Sequence, residues 1–137
     1  MKRAPVMQGL LLWSVDRQPI NAMVSYSVDD PFAVTLTFLD DSGRQTVSYV
    51  FGRALLIDGL EGPAGEDLIL VGPHETAAGF TVLTLTPEHG AIPMAFYVAT
   101  AVLRKFVDKT CALVPLGREI DHLDLDALIA QLLGVVS

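Results

Sequence analysis

Cysteine occurs once, at Cys111, so no intramolecular disulfide can form, and a reducing cytoplasm suits the chain. Cations are scarce. Nine Lys and Arg face sixteen Asp and Glu, giving a net charge of −7. Nucleic-acid affinity rests on clustered cations that release counterions, so this balance argues against a phosphate-tracking surface and for contacts with other proteins. Long apolar runs are missing too. The longest uncharged stretch runs from Gly90 to Leu103 and is interrupted by Pro93, too short for the roughly 18 to 20 residues of a membrane helix. The opening MKRAPVMQGLLLW has a positive tip but no extended apolar region or small-residue cleavage site, so it does not read as a signal peptide.

The chemistry-bearing patterns are equally thin. His74, His89 and His122 have no HxxxH or Cys–His spacing around them, so they read as loop histidines and not as metal ligands. There is no Walker loop, Rossmann glycine fingerprint or nucleophile elbow. Neither a catalytic nor a cofactor-binding constellation emerges. The carboxylates group as Asp29-Asp30, Asp40-Asp41, Glu66-Asp67 and Asp121, Asp124, Asp126, at turns and a helix start, where Asp satisfies backbone donors.

What the chain has is apolar residues, at 51%. With 137 residues, residues 1–137 form one domain large enough for a good core. The excess beyond that core suits an apolar surface covered in a homo-oligomer.

The stretch from Asp30 to Leu60 organises the order of elements. Ala33 to Leu39 alternates, with Val34, Leu36 and Phe38 on one face. Asp40-Asp41-Ser42-Gly43 turns the chain, Gly43 supplying positive φ. Gln45 to Phe51 runs back with Val47, Tyr49 and Phe51 on one face, making a hairpin. A short helix over Gly52 to Asp58 follows, with Gly59 placed to close it. Before this, Val6 to Val15 reads as a buried strand, and Met23 to Val28 as a strand that the Asp29-Asp30-Pro31 corner stops. After it, Glu61 to Asp67 reads as a loop, Leu68 to Val71 and Phe80 to Thr86 as strands, and Ala91 to Phe96 as an edge strand because of Pro93. From Tyr97 the period becomes helical through Val98, Val102 and Phe106 to about Cys111. ALVPLGRE (Ala112 to Glu119) is a linker, and Asp124 caps a final helix of Leu125, Leu128, Ile129, Leu132, Leu133 and Val136. Strand pairs followed by a helix, twice over, point to an antiparallel α+β fold with a loose internal duplication.

Three features stand out as candidates. Arg53 sits in the first turn of a helix, the wrong end for a cation by the dipole argument, so a carboxylate partner inside the fold is expected. Arg104, Lys105 and Lys109 make a cationic helix face, read first as a solvated surface and next as a dock for an acidic partner. A nucleic-acid contact comes third, since three cations with Asp108 among them make a poor phosphate track. Cys111 reads as a half-buried, inert thiol.

The ordered set Asp30-Pro31-Phe32-Ala33-Val34, Thr37-Phe38, Val47, Val50-Phe51, Arg53, Leu55-Leu56 and Gly59-Leu60 resembles the SsgA-like family of sporulation-specific cell-division proteins. The likeness continues through Pro63, Gly65, Leu83, Leu85, Pro87-Glu88 and Gly90. It ends with Leu103, Phe106, Lys109-Thr110, Val114-Pro115, Gly117, Glu119, Asp124-Leu125-Asp126 and Leu132. Where the family has tryptophan-like positions, this chain has Tyr49 and Gly72. The resemblance implies a whirly-like fold of two antiparallel β-sheets with helices, assembled as a homotrimer, and no enzyme activity or cofactor. It implies an adaptor at the division septum that helps localise FtsZ together with an SsgA-type relative, reaching the membrane only through partners. The expected contact residues are Arg104, Lys105 and Lys109 on the cationic face, with Pro115 and Gly117 in the linker. A single-stranded nucleic-acid binder is the alternative that the fold resemblance alone suggests.

Overall fold

The computed structural model describes residues 4–123 and 125–134. Alternation of apolar and polar residues builds the first four strands, β1 (Val6–Ser14), β2 (Pro19–Tyr26), β3 (Ala33–Leu39) and β4 (Gln45–Gly52). The helix α1 (Arg53–Glu61) follows. The second half repeats the plan with β5 (Ala64–Glu66), β6 (Ile69–Pro73), β7 (Phe80–Leu85) and β8 (Met94–Ala99), then α2 (Thr100–Leu113). A single 3-10 turn over Glu119–His122 and the helix α3 (Leu125–Gly134) complete the order.

The two halves are joined into one antiparallel sheet of eight strands, in the order β4-β3-β2-β1-β8-β7-β6-β5. The expected two sheets are therefore continuous. Their seam is narrow: only Trp13 with Tyr97 and Ser14 with Phe96 pair across β1 and β8. The sheet also curls strongly. In a flat sheet β4 and β5 would lie about 34 Å apart at ordinary strand spacing. Instead, the Gly52 backbone N–H reaches Glu66 Oε2 at 3.3 Å. Phe38 on β3 and Phe96 on β8 likewise bring their ring centroids to 5.2 Å across the interior.

The concave face holds the core. Leu12, Val34, Leu36, Leu85 and Phe106 are essentially inaccessible, and Leu10, Val24, Phe51, Ile69, Leu83 and Phe96 pack with them. Helices α1 and α2 lie against this side, α1 on β5 and β6 and α2 on β1 and β8. The strands' other face carries no ionisable carboxylate or cation. Following the pairing register, it is made of Met7, Gly9, Leu11 and Trp13; Met23 and Ser25; Thr35 and Thr37; Ser48 and Val50; Leu70, Val82, Thr84 and Tyr97 among others.

The hairpin between β3 and β4 forms as its alternation requires. Asp40 Oδ1 accepts from the backbone N–H of Ser42 and of Arg44, each at 2.9 Å, and Gly43 adopts φ 84°. These bonds hold the Asp40 carboxyl below its ordinary range, the Ser42 hydroxyl contributing most.

Several expectations are corrected. Helix α1 does not end at Gly59 but runs on to Glu61. Gly59 is there because a Cβ would stand 2.4 Å from Val71 Cγ1, so the helix presses directly on β6. The Glu61 to Asp67 loop contains β5, a three-residue edge strand. β8 is central, between β1 and β7, and Pro93 merely precedes it. Tyr97 and Val98 belong to β8, paired with Val82 and Thr81, so the helical spacing of Val98 with Val102 is coincidental. α2 starts at Thr100 and continues past Cys111 to Leu113, which leaves no cation in its last turn. β1 is buried on one face only, with Met7 and Leu11 exposed. On β4, Val47, expected on the buried face of Phe51, is exposed, and the β3–β4 register breaks there, with Thr46 and Val47 together opposite Phe38. Asp124 and Val136 lie outside the described residues, as do the side chains of Leu125 and Leu128.

Candidate protein-interaction surface

The surface begins with a buried charge. Arg53 opens α1 and is 1% exposed, so its guanidinium must find partners inside the fold. It donates through Nη1 to the Thr110 carbonyl at 3.2 Å and the Val114 carbonyl at 2.7 Å, closing the C-terminal end of α2. Through Nη2 it meets Glu119 Oε1 at 2.6 Å. Its Nε has no hydrogen-bond partner among the described residues. The guanidinium lies 4.9 Å from the Tyr26 ring centroid, a cation–π contact in a dry setting. Burial pushes the Tyr26 phenol up against the opposing pull of Arg53, and its hydroxyl donates to the Pro31 carbonyl at 2.8 Å. The carboxylate expected of Arg53 from sequence is thus Glu119.

Glu119 in turn shapes the segment after α2. The Gly117 backbone N–H donates to both of its carboxylate oxygens at 3.1 Å. This bond, ahead of the desolvation that opposes it and with Arg53 adding to it, holds the Glu119 carboxyl below its ordinary range. Gly117 takes φ 90°, the left-handed region a side chain resists, so the tight bend and the carboxylate cradle depend on glycine. Arg118 Nε pairs with Asp121 Oδ2 at 2.6 Å across the following turn. The segment expected to be a linker is therefore pinned, while Pro115, Leu116 and Gly117 remain exposed.

The cationic face lies on the adjoining helix. Arg104, Lys105 and Lys109 are all exposed. Arg104 is engaged sideways, its Nη1 donating to Glu61 Oε1 at 2.9 Å and its Nη2 to the Leu60 carbonyl at 3.5 Å. Lys105 and Lys109 project to solvent at the stretch of α2 that leads to Pro115. Sequence reasoning singled out Arg104, Lys105, Lys109, Pro115 and Gly117, but it missed Glu119, which fixes the bend at Gly117. The available signal was that Glu119 is the only carboxylate between Asp108 and Asp121. Apolar side chains left exposed nearby add Leu116 and Ile120, and α3 exposes Ile129, Leu132 and Leu133. Cys111 is half-buried. Among the described residues no group of three or more His, Cys, Asp or Glu is arranged to hold a metal ion, and no helix is long and apolar enough to cross a membrane.

The family model described as Streptomyces sporulation and cell division protein, SsgA, matches residues 20–119, a span that runs from β2 to Glu119 itself. The chain belongs to the SsgA family. This SsgA-family chain is similar to the sporulation-specific cell division protein SsgB of Salinispora tropica, 38% identical over 119 residues, covering 85% of the chain and 81% of that relative. It is similar to the SsgB of Streptomyces coelicolor, 34% identical over 127 residues, covering 91% and 90%. Solved structures agree with the fold. A structure from work relating SsgB mutations to longitudinal cell division during sporulation of Streptomyces coelicolor superposes with a TM-score of 0.79 at 28% identity, over 89% of the chain and 98% of that structure. The SsgA-like sporulation-specific cell division protein of Thermobifida fusca superposes with a TM-score of 0.78 at 28% identity, over 96% and 97%. The antiparallel α+β architecture is shared with both.

Proposed function

We propose that this SsgA-family protein takes part in sporulation septation as a non-enzymatic adaptor, helping to localise FtsZ at future septa through protein–protein contacts. The relatives' names, sporulation-specific cell division proteins, support the process. The observation that carries the adaptor reading is the bend from Pro115 to Arg118. Its residues are exposed, yet Glu119, paired with the buried Arg53, holds the Gly117 N–H and so fixes the bend beside Lys105 and Lys109. A hydrogen-bonded, exposed bend beside the local cationic face of Lys105 and Lys109 suits an acidic patch on a protein partner. Pre-ordering lowers the entropic cost of docking. The outer face of the described strands carries no Lys or Arg to neutralise phosphates, which weighs against single-stranded nucleic acid.

In this reading the chain works in the cytoplasm at the septum as a homotrimer, with an SsgA-type relative as a further partner and membrane contact only through others. Co-sedimentation with FtsZ polymer, alone and with an SsgA-type relative, tests it. Pelleting that a Lys105→Glu/Lys109→Glu variant of unchanged Tm loses is the expected result. Absence of pelleting in both mixtures overturns it.

A further inference from the structure

The outer edge of β4 invites a second reading, independent of the α2 surface. A curled sheet protects itself by closing, because closure removes unpaired strand edges. Here closure is incomplete. β4 and β5 are the terminal strands, and they are joined by a side chain, Glu66 Oε2 accepting from the Gly52 N–H, in place of a strand ladder.

The direction of the unpaired groups follows from the register. The Arg53 N–H donates to the Phe32 carbonyl at 2.7 Å, and Ala33 faces Gly52. In an antiparallel pair, residues alternate between exchanging bonds with the neighbour and turning their N–H and C=O away. Arg53, Phe51 and Tyr49 therefore bond to β3, and Gly52, Val50 and Ser48 turn outward. Glu66 taking the Gly52 N–H agrees with this parity.

The two edges of the sheet are managed differently. β5 is three residues long, follows Pro63, and turns Glu66 across the gap, all devices that discourage strand addition. β4 runs for eight residues without a charge or a proline, with Thr46, Val47, Ser48 and Val50 exposed. Its ladder with β3 is irregular at Thr46 and Val47 but regular from Ser48 to Gly52, the stretch whose outward groups are free to pair. Among the described residues no strand pairs with its outer edge. The ends of this edge are acidic. Asp40 and Asp41 lie at one end, partly offset by Arg44, and Glu66 and Asp67 at the other, all exposed. Asp67 also meets His89 at 3.0 Å.

The geometry points to β4 as a strand-addition site for an extended segment of another protein, uncharged and β-branched at its centre and basic at its ends. A second copy fits worse. Antiparallel pairing of β4 with itself would set Asp40 and Asp41 of one copy against Glu66 and Asp67 of the other, carboxylate facing carboxylate.

The probe is a synthetic peptide, Lys-Lys-Val-Thr-Val-Thr-Val-Lys-Lys, compared with its counterpart bearing Glu at every Lys position. Binding is read by fluorescence anisotropy, and amide hydrogen exchange is followed at Ser48 and Val50 in the full chain. The expected result is at least about tenfold tighter binding of the basic peptide, with slowed exchange at both amides. An Asp41→Asn/Asp67→Asn variant, which spares the strand, should bring the two peptides closer. Val50→Lys, at an exposed position, should reduce binding while the fold persists. Equal binding of both peptides, binding of neither, or unchanged exchange at Ser48 and Val50 overturns the proposal. Slowed exchange at these amides with rising protein concentration and no peptide also overturns it, since a second copy would then occupy the edge.

Discussion

Arg53 and Glu119, separated by 66 positions, meet at 2.6 Å in the interior, and between them they tie the start of α1 to the end of α2 and to the turn that follows. A buried pair of this kind is costly to form and costlier to break, because removing one partner strands the other charge in a dry site. Glu119→Gln is expected to lose about 3–5 kcal/mol, a fall in Tm of about 10–17 °C. The double variant Arg53→Met/Glu119→Leu should lose less than the sum of the single changes, since it removes both charges together. Thermal unfolding of Arg53→Met, Glu119→Leu and the double measures the coupling.

The same pair sets an acid limit. The folded-state pKa of Glu119 is depressed by the Gly117 N–H and by Arg53, from an ordinary value of 4.5. A depressed carboxylate contributes stability that is present in full above its unfolded value and is lost as pH falls through its folded value. Stability should therefore hold steady down to about pH 5 and decline below the ordinary glutamate range. In Glu119→Gln that part of the decline should be missing. Urea titrations at several pH values between neutral and acid compare the two slopes.

Much of the fold was legible because its pattern is local. Val34, Leu36 and Phe38, the Asp40 to Gly43 turn, and Thr81, Leu83 and Leu85 each declare a strand or a turn by alternation and turn chemistry alone. The misreadings fall where a distant contact decides. Gly59 looked like a helix stop because its true neighbour, Val71, is invisible in the local sequence. Val98 lies at helical spacing from Val102, yet pairing with Thr81 keeps it in β8. Arg53 was recognisable as a misplaced cation needing a carboxylate, but which carboxylate was settled only by the return of the chain at Glu119. The cradle that Glu119 makes for Gly117 has no local signature beyond the glycine itself.

Gly59 provides a direct check of that lesson. An added methyl group would meet Val71 Cγ1 at 2.4 Å and the Val71 carbonyl at 3.0 Å, so α1 must move off β6 to accept it. Gly59→Ala should destabilise by about 1–3 kcal/mol despite the better helix propensity of alanine. Gly62→Ala, with open space around the position, is the control and should change stability by much less. A left-handed helix stop at Gly59 would instead predict strain from φ, which the helical backbone there does not show.

The last expectation concerns α3, whose Ile129, Leu132 and Leu133 are 52%, 66% and 65% exposed. Their spacing of three and four residues sets them on one stripe, and such a stripe gains little from water-facing positions. If the homotrimer proposed above covers this stripe, its burial must contribute to assembly. Leu132→Lys/Leu133→Lys should then lower the solution mass from trimer towards monomer, as measured by light scattering over a dilution series. The Tm should become less dependent on protein concentration, because assembly stabilises the folded chain by mass action. The substitutions touch neither Arg53 nor Glu119 and fall at exposed positions, so circular dichroism of the variant near neutral pH should match the parent. A trimer that survives both substitutions would place its contact elsewhere on the molecule, with the exposed Leu116 and Ile120 the next positions to replace.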